Sequence, residues 1–299
     1  MKKIFLIISL FIFSQTPSFA QNDGAGNTGL SFLKLGVGAQ SISMGEAYSS
    51  LTEDATSVYY NPARLFYGSK TNVYLTHNQS LLDFTNDFIA FKTSGEKFAF
   101  GIGVQRAAVN DIEIRTIPGG PVDKFNSENL AVGVSLAYMF SPGLSIGVTP
   151  KFLYEKIYVD DAAGLAFDIG TNYTKNDFSA SFVIANLGSI NELRHASTKL
   201  PSSVRLGASY KLTKNDFAFR FGVDGYKVLD GGKMHLHGGG EAAYKDMFFL
   251  RAGYQTNYEN KSLTAGIGFK YKAFTLDYAF VPYKYEFSNS NTFSLGLNF

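Results

Sequence analysis

The sequence predicts an all-β fold: a transmembrane antiparallel β-barrel of about fourteen strands with an N-terminal plug segment. Three observations lead there. From Lys70 onward, apolar and polar residues alternate in segments of about ten residues. The connections between those segments alternate too, short then long. The chain before Lys70 has neither property. An alternating segment is a strand with one apolar and one polar face. In a membrane barrel the apolar face meets lipid, so the two faces cancel in any window average. The near-zero mean hydropathy fits that cancellation.

Residues 1–20 carry Lys2 and Lys3, the apolar run Ile4 to Phe13, and then Ser18-Phe19-Ala20. A charged start, a short apolar core and small residues before a cut predict a secretory signal peptide removed after Ala20. The run is shorter than the ~20 apolar residues of a spanning helix. No cysteine follows it, which excludes a lipoprotein anchor there. Without Lys2 and Lys3, the 27 basic residues fall to 25, matching the 25 acidic ones. Nucleic acid is therefore not an expected partner, since phosphate binding needs a basic surplus. The absence of cysteine excludes disulfides and thiol chemistry.

Residues 21–69 are the expected plug. Leu30 to Tyr67 keeps neither a two-residue alternation nor one unbroken helical period. Glycines 36, 38 and 45 interrupt it, and Asn61-Pro62 ends it.

Residues 70–299 are the expected barrel. Its strands are read at 70–78, 84–93, 97–105, 127–140, 144–155, 162–174, 178–187, 201–212, 216–227, 233–244, 247–256, 261–271, 274–283 and 290–299. After even-numbered strands the connections are minimal: Ser94-Gly95-Glu96, Ser141-Pro142-Gly143, Lys175-Asn176-Asp177, Thr213-Lys214-Asn215, Lys245-Asp246 and Lys272-Ala273. After odd-numbered strands they are mostly longer, the largest being 106–126 and 188–200. Outer-membrane barrels are laid out this way, with short periplasmic turns and longer external loops. Closure is obligatory in hydrocarbon, where each unpaired backbone group costs several kcal/mol.

Phe, Leu, Val and Ile occupy the expected outer face in mid-strand. Tyrosines 138, 154, 173, 210, 244, 254 and 271 stand near strand ends, as an interfacial girdle requires. The opposite face carries Lys151, Glu155, Asp168, Lys211, Arg220, Asp224, Glu241, Arg251, Lys270 and Asp277 beside many glycines. That mixture suits a crowded polar interior. A ring this wide is not filled by its own side chains, since barrels of 16–18 strands already hold an aqueous channel. Left unplugged, it would leak.

Gly36-Val37-Gly38-Ala39, Met44-Gly45, Ala47-Tyr48, Glu53-Asp54-Ala55 and Tyr60-Asn61-Pro62-Ala63 together resemble the N-terminal signature of the PorV/PorQ family. That family is related to FadL-type long-chain fatty acid transporters. The resembling plug motif is Gly36, Gly38, Met44, Gly45, Asp54, Asn61 and Pro62. The closing Phe299, after apolar 297, 295 and 293, resembles the C-terminal signal read by the outer-membrane insertion machinery. Gln40 and Glu46 depart from the pattern, standing where Arg and Gly are usual. The resemblance implies a non-enzymatic outer-membrane protein in contact with lipid and without a cofactor. It also implies partners: type IX secretion components and exported proteins or, on the FadL side, hydrophobic small molecules such as long-chain fatty acids.

Other patterns carry less. Gly36-x-Gly38 lacks the third glycine and the strand–helix unit of a phosphate loop. Asn61-Pro62 starts a turn, because proline pushes the preceding residue out of helical geometry. His235 and His237 share a strand face with Glu241, yet no further ligand at fixed spacing completes a metal site. His195 and Ser197 have no oriented acid partner, so no catalytic residue is expected. Loops 106–126 and 188–200 are the expected contact surfaces, irregular segments on a rigid frame.

Overall fold

The computed structural model describes residues 26–80, 84–285 and 288–299. The expected signal peptide 1–20 and the first residues of the expected plug lie outside them. The strands are β1 (Thr71–Gln79), β2 (Phe84–Ser94), β3 (Phe98–Ile114), β4 (Asp123–Ser141), β5 (Leu144–Ile157), β6 (Asp160–Lys175) and β7 (Phe178–Ile190), then β8 (Ser203–Lys214), β9 (Phe217–Val228), β10 (Met234–Tyr244), β11 (Phe248–Gln255), β12 (Leu263–Tyr271), β13 (Phe274–Val281) and β14 (Ser290–Asn298). Each pairs antiparallel with its sequence neighbours, and β1 pairs with β14 to close the ring. No edge is left unpaired.

Alternation decides the two faces. On β11, Phe248 and Leu250 are exposed while Phe249 and Arg251 are buried; on β4, Val134 and Leu136 are exposed while Ser135 and Ala137 are buried. Apolar side chains therefore cover the outside, and Asp168, Asp224, Glu241, Arg251 and Asp277 point into the lumen, buried. Tyr138, Tyr173, Tyr210, Tyr244 and Tyr271 lie at the rim carrying the short turns. Four of them stand opposite Phe98, Phe178, Phe217 and Phe274 on neighbouring strands. Tyr154 and Tyr254 lie near the other rim.

Two expectations need correction. The expected loop 106–126 is mostly strand: β3 runs to Ile114 and β4 starts at Asp123, leaving only 115–122 between them. The β3–β4 ladder shifts register between Val109 and Ile112, where Asp111 takes a φ of 56°. A bulge swaps the faces of everything beyond it, so the alternation read from sequence breaks there. The connection after β5 is not long either; Tyr158-Val159 alone joins β5 to β6. The loop expected at 188–200 lies at 191–202. Strands β3 to β6 are thus 17, 19, 14 and 16 residues long, against 8 or 9 for β11 to β14. The barrel stands taller on one flank.

Among the described residues before β1, the regular structure is short pieces of helix: Ser31–Lys34, Ala39–Ser43, Ser57–Tyr60 and Pro62–Phe66. Val37, Met44, Tyr48, Leu51, Tyr60 and Leu65 on it are almost fully buried.

Candidate functional site

Residues 26–69 run through the lumen from one mouth to the other. Near their start, the Gly29 amide donates to the Lys199 carbonyl in the long β7–β8 connection, at 2.9 Å. Leu30, Phe32 and Leu33 pack there against Ala107, Ala131, Leu153, Ala162, Ala166 and Leu200. Four of the wall's buried contacts are alanines, which leave room for the threaded side chains. At the far end the segment enters β1, where Thr71 pairs with Phe299 beside the short turns. In an outer-membrane barrel the first mouth is external and the second periplasmic.

The motif residues sit on this path. Gly36 faces the Glu46 side chain and the Tyr60 hydroxyl, and the Gly38 carbonyl accepts from Ser41 Oγ at 2.8 Å. The surrounding amides are committed internally: Val37 N donates to Tyr60 OH and Ala39 N to Ser294 Oγ of β14. No phosphate cradle remains open. Met44 and Gly45 lie directly on the wall. A Cβ on Gly45 would stand 2.8 Å from the Gly238 carbonyl and 2.9 Å from the Tyr254 amide, so only glycine lets the segment come so close.

Asn61 makes the most contacts with β6. Its Oδ1 accepts from the Ala63 amide at 3.0 Å, capping the turn that Pro62 opens. Its Nδ2 donates to Ser49 O within the segment and to Thr171 O of β6, both at 3.1 Å. Pro62 sits against Gly147 and Gly170, and a Cβ on Gly170 would stand 2.1 Å from Asn61 Oδ1. Asp54 accepts from the Thr56 amide at 2.8 Å and from Tyr48 OH at 3.3 Å. Phe299 is exposed, and its backbone closes the β1–β14 seam.

The two departures from the resembled pattern have local reasons. Glu46 has a φ of 59°, the left-handed region that favours glycine, and Lys261 stands 3.3 Å from its carboxylate. Gln40 donates to Glu241 at 3.3 Å, a partner equally suited to an arginine.

Electrostatics tie the segment to the β8–β13 wall. Glu53 pairs with Lys211 of β8 and, at 3.1 Å, with Arg220 of β9. From there a ladder runs along the wall, Arg220–Glu241–Arg251–Asp277, each step 2.6 Å. Burial works against the ionised form of Glu53, but Arg220 and Lys211 outweigh it and hold its carboxyl down at about 2. Burial opposes ionisation of Glu46 as well; Lys261, His237 and Arg205 reverse it, again to about 2. Beside this ladder, at the periplasmic mouth, the segment leaves a polar cleft of about 330 Å³.

The histidines do not assemble a site with Glu241. Glu241 is committed to Arg220 and Arg251, whereas His237 meets Tyr258 OH at 3.0 Å and His235 meets the Thr256 carbonyl at 3.0 Å. His195 lies in the external 191–202 connection, where Leu193 bridges Ala196.

Sequence reasoning passed over Arg64 and Lys92. Arg64 is buried; its Nε donates to Thr52 O at 3.0 Å, and its guanidinium lies 3.7 Å from the Tyr67 ring centre. Lys92 of β2 donates to the carbonyls of Glu53 and Tyr67. One signal was available: Arg64 is the one basic residue between Lys34 and Lys70.

Comparison with known proteins adds a family and a fold. The model of a family described as "Type IX secretion system membrane protein PorP/SprF" matches residues 124–299, which is β4 onward. The residues that resemble PorV/PorQ, 36–63, lie outside that match. Among solved structures, the Ralstonia pickettii toluene transporter TbuX is similar at 13% identity and a TM-score of 0.61, over 88% of this chain and 98% of that one. The P. putida toluene transporter TodX has the same identity and TM-score, over 88% and 99%. No protein of curated function matches the sequence.

Proposed function

Since the chain belongs to the PorP/SprF family of type IX secretion system membrane proteins, we propose that it serves that system as a plugged, non-enzymatic barrel. It is an outer-membrane β-barrel, and in this reading residues 21–69 are its plug, exported behind a signal peptide cleaved after Ala20. The observation that carries the reading is the family match across most of the barrel. The seating of residues 26–69 supports the plug. Asn61 and Ser49 bind β6 and β7, Glu53 binds β8 and β9, and Ala39 binds β14. A barrel held shut this way suits attachment of secretion components and exported proteins better than free diffusion through its centre. The PorV/PorQ-like motif is then the part that seats the plug, and Phe299 the residue read at insertion.

Deleting the gene and assaying secretion of proteins with C-terminal sorting domains tests this. The expected result is their retention. Normal secretion together with impaired uptake of long-chain fatty acids would overturn it in favour of a second reading, a FadL-like channel for hydrophobic molecules. One observation favours that alternative: the apolar chamber at the external mouth, now filled by Leu30, Phe32 and Leu33. The related fold of the two toluene transporters is compatible with it.

A further inference from the structure

The lipid-facing side of the wall carries a hollow. A groove of about 1320 Å³, lined mostly by apolar side chains, crosses it from β9 and β10 through β14 and β1 to β3. It backs onto the place where the N-terminal segment lies tightest against the wall. There a Cβ on Gly239 would stand 2.1 Å from the Met44 carbonyl oxygen, one on Gly253 2.1 Å from the Gly45 amide, and one on Gly266 2.4 Å from Ser43 Cβ. Glycines inside let the two backbones meet, and the hollow outside is the other face of that approach.

Cross-strand register builds the groove. One row of outward side chains runs Leu250, Ile267, Tyr278 and Phe293, each directly opposite the next, and continues through His77 and Asp87 to Arg106. The row below it, from Phe248 to Val104, is apolar at every position. Six strand-to-strand steps of about 4.8 Å make each row roughly 29 Å long. Leu250 is the third residue of β11 and Arg106 the ninth of β3, and both strands rise from short turns. The groove therefore climbs from the periplasmic side toward the external one. Past Arg106 the upper row reaches Leu130 and then Tyr154, near the external rim.

The two ends of the groove differ. The lower end is aromatic, with Phe217, Tyr244 and Phe248 beside the short turns. The upper end is charged. Charged side chains on a lipid face are costly at mid-membrane and tolerated at the interface, which puts this end at the level of lipid heads. Asp87 and Arg106 stand directly opposite one another, an arrangement in which opposite charges normally pair. Instead each turns away: Asp87 meets His77 Nδ1 at 2.6 Å, and Arg106 meets Glu128. Their side chains stay 40% and 44% exposed. One cation and one anion thus stand side by side at the head of an apolar groove, both open to a further partner.

We propose that this groove binds one phospholipid with a phosphoethanolamine head. Its acyl chains lie along the apolar rows. Its phosphate accepts from Arg106 and its ammonium donates to Asp87, charge-assisted hydrogen bonds about twice as strong as neutral ones. A purely anionic head would meet Asp87 and Glu128 as like charges, and a choline head has no N–H to donate. The site needs only the barrel in its membrane, and it goes beyond the question of what the barrel serves.

The sequence holds no tryptophan, so a single introduced one reports its own surroundings. Phe293→Trp places it in the groove, and Phe182→Trp places it on the lipid face of β7, across the ring. Each variant is reconstituted in phosphatidylcholine bilayers containing the dibrominated form of phosphatidylethanolamine, phosphatidylcholine or phosphatidylglycerol, whose bromines quench a neighbouring indole. At the groove, quenching should give phosphatidylethanolamine an affinity at least about threefold above either other lipid, as two charge-assisted contacts imply. At Phe182→Trp the three lipids should be equal. Adding Asp87→Asn or Arg106→Gln to Phe293→Trp should abolish the preference while leaving the heat-modifiable, folded form on a gel unchanged. Equal quenching by the three lipids at the groove, the same preference at both positions, or a preference indifferent to Asp87→Asn and Arg106→Gln would overturn the proposal. Preference for phosphatidylglycerol would overturn it in favour of an anionic head. A groove tryptophan that no lipid quenches, beside full quenching at Phe182→Trp, would overturn it in favour of a protein seated there.

Discussion

The two ends of the lumen solve the same problem with opposite chemistry. At the external mouth the N-terminal segment inserts Leu30, Phe32 and Leu33 among alanines, leucines and Ile190, an apolar junction. At the periplasmic mouth it meets the wall through Glu53, Lys211 and Arg220, beside an ion-pair ladder and an open polar cleft. On the β5–β6 side of the same half, Asn61 and Pro62 press against Gly147 and Gly170. Apolar packing is non-directional and tolerates little loss of volume. Ion pairs are directional, sensitive to pH and individually weak when exposed. The external end is therefore the firm anchor, and the periplasmic end is the one that conditions or partners can alter.

The sharpest way to break this contrast is to empty the apolar end. Phe32→Ala with Leu33→Ala removes two buried side chains, each worth about 2–5 kcal/mol in a packed core. We expect the largest loss of thermal stability of any change considered, with steady ion conductance appearing in planar bilayers where the wild type has none. Asn61→Ala comes next. It removes three hydrogen bonds at about 0.5–1.5 kcal/mol each and leaves the Thr171 and Ser49 carbonyls short of a donor. Thermal melts should fall clearly, but by less than for the double variant.

The polar end should respond to acid. The folded value of Glu53 is lowered from 4.5 to about 2. The stability it contributes is thus fully present above about pH 4.5 and is lost as pH falls toward 2. Amide exchange at residues 50–56, corrected for intrinsic rates, should accelerate across that window while residues 30–33 stay protected. Glu53→Gln should show the accelerated exchange already at pH 7. Equal acceleration at both ends would erase the distinction between them.

Much of the wall could be read from the sequence because strand period, turn length and face chemistry agree locally. The reading failed at residues 106–126, where the bulge at Asp111 reverses the faces and hides the extra length of β3 and β4. Residues 26–69 stand apart in the sequence by what they lack, a regular period, and by the closing Asn61-Pro62. Their contacts with the wall were not legible there. Which wall residue meets Asn61 depends on strand register and on the stagger of the ring, and a list of residues holds neither. Arg64 and Lys92 were hidden for a related reason: a buried charge on one element is explained only by carbonyls supplied from another.

The direction of threading tests the whole account most directly, and a chain without cysteine makes the measurement clean. Asn27 is exposed at the mouth where Gly29 binds Lys199, Ile117 lies in the β3–β4 loop, and Asn176 lies in the β6–β7 turn. Each is changed singly to cysteine, and intact cells are treated with a membrane-impermeant maleimide. The account predicts that Asn27→Cys is labelled as readily as Ile117→Cys, and Asn176→Cys only after the outer membrane is permeabilised. Labelling of Asn27→Cys only after permeabilisation, with Ile117→Cys labelled from outside, would contradict it.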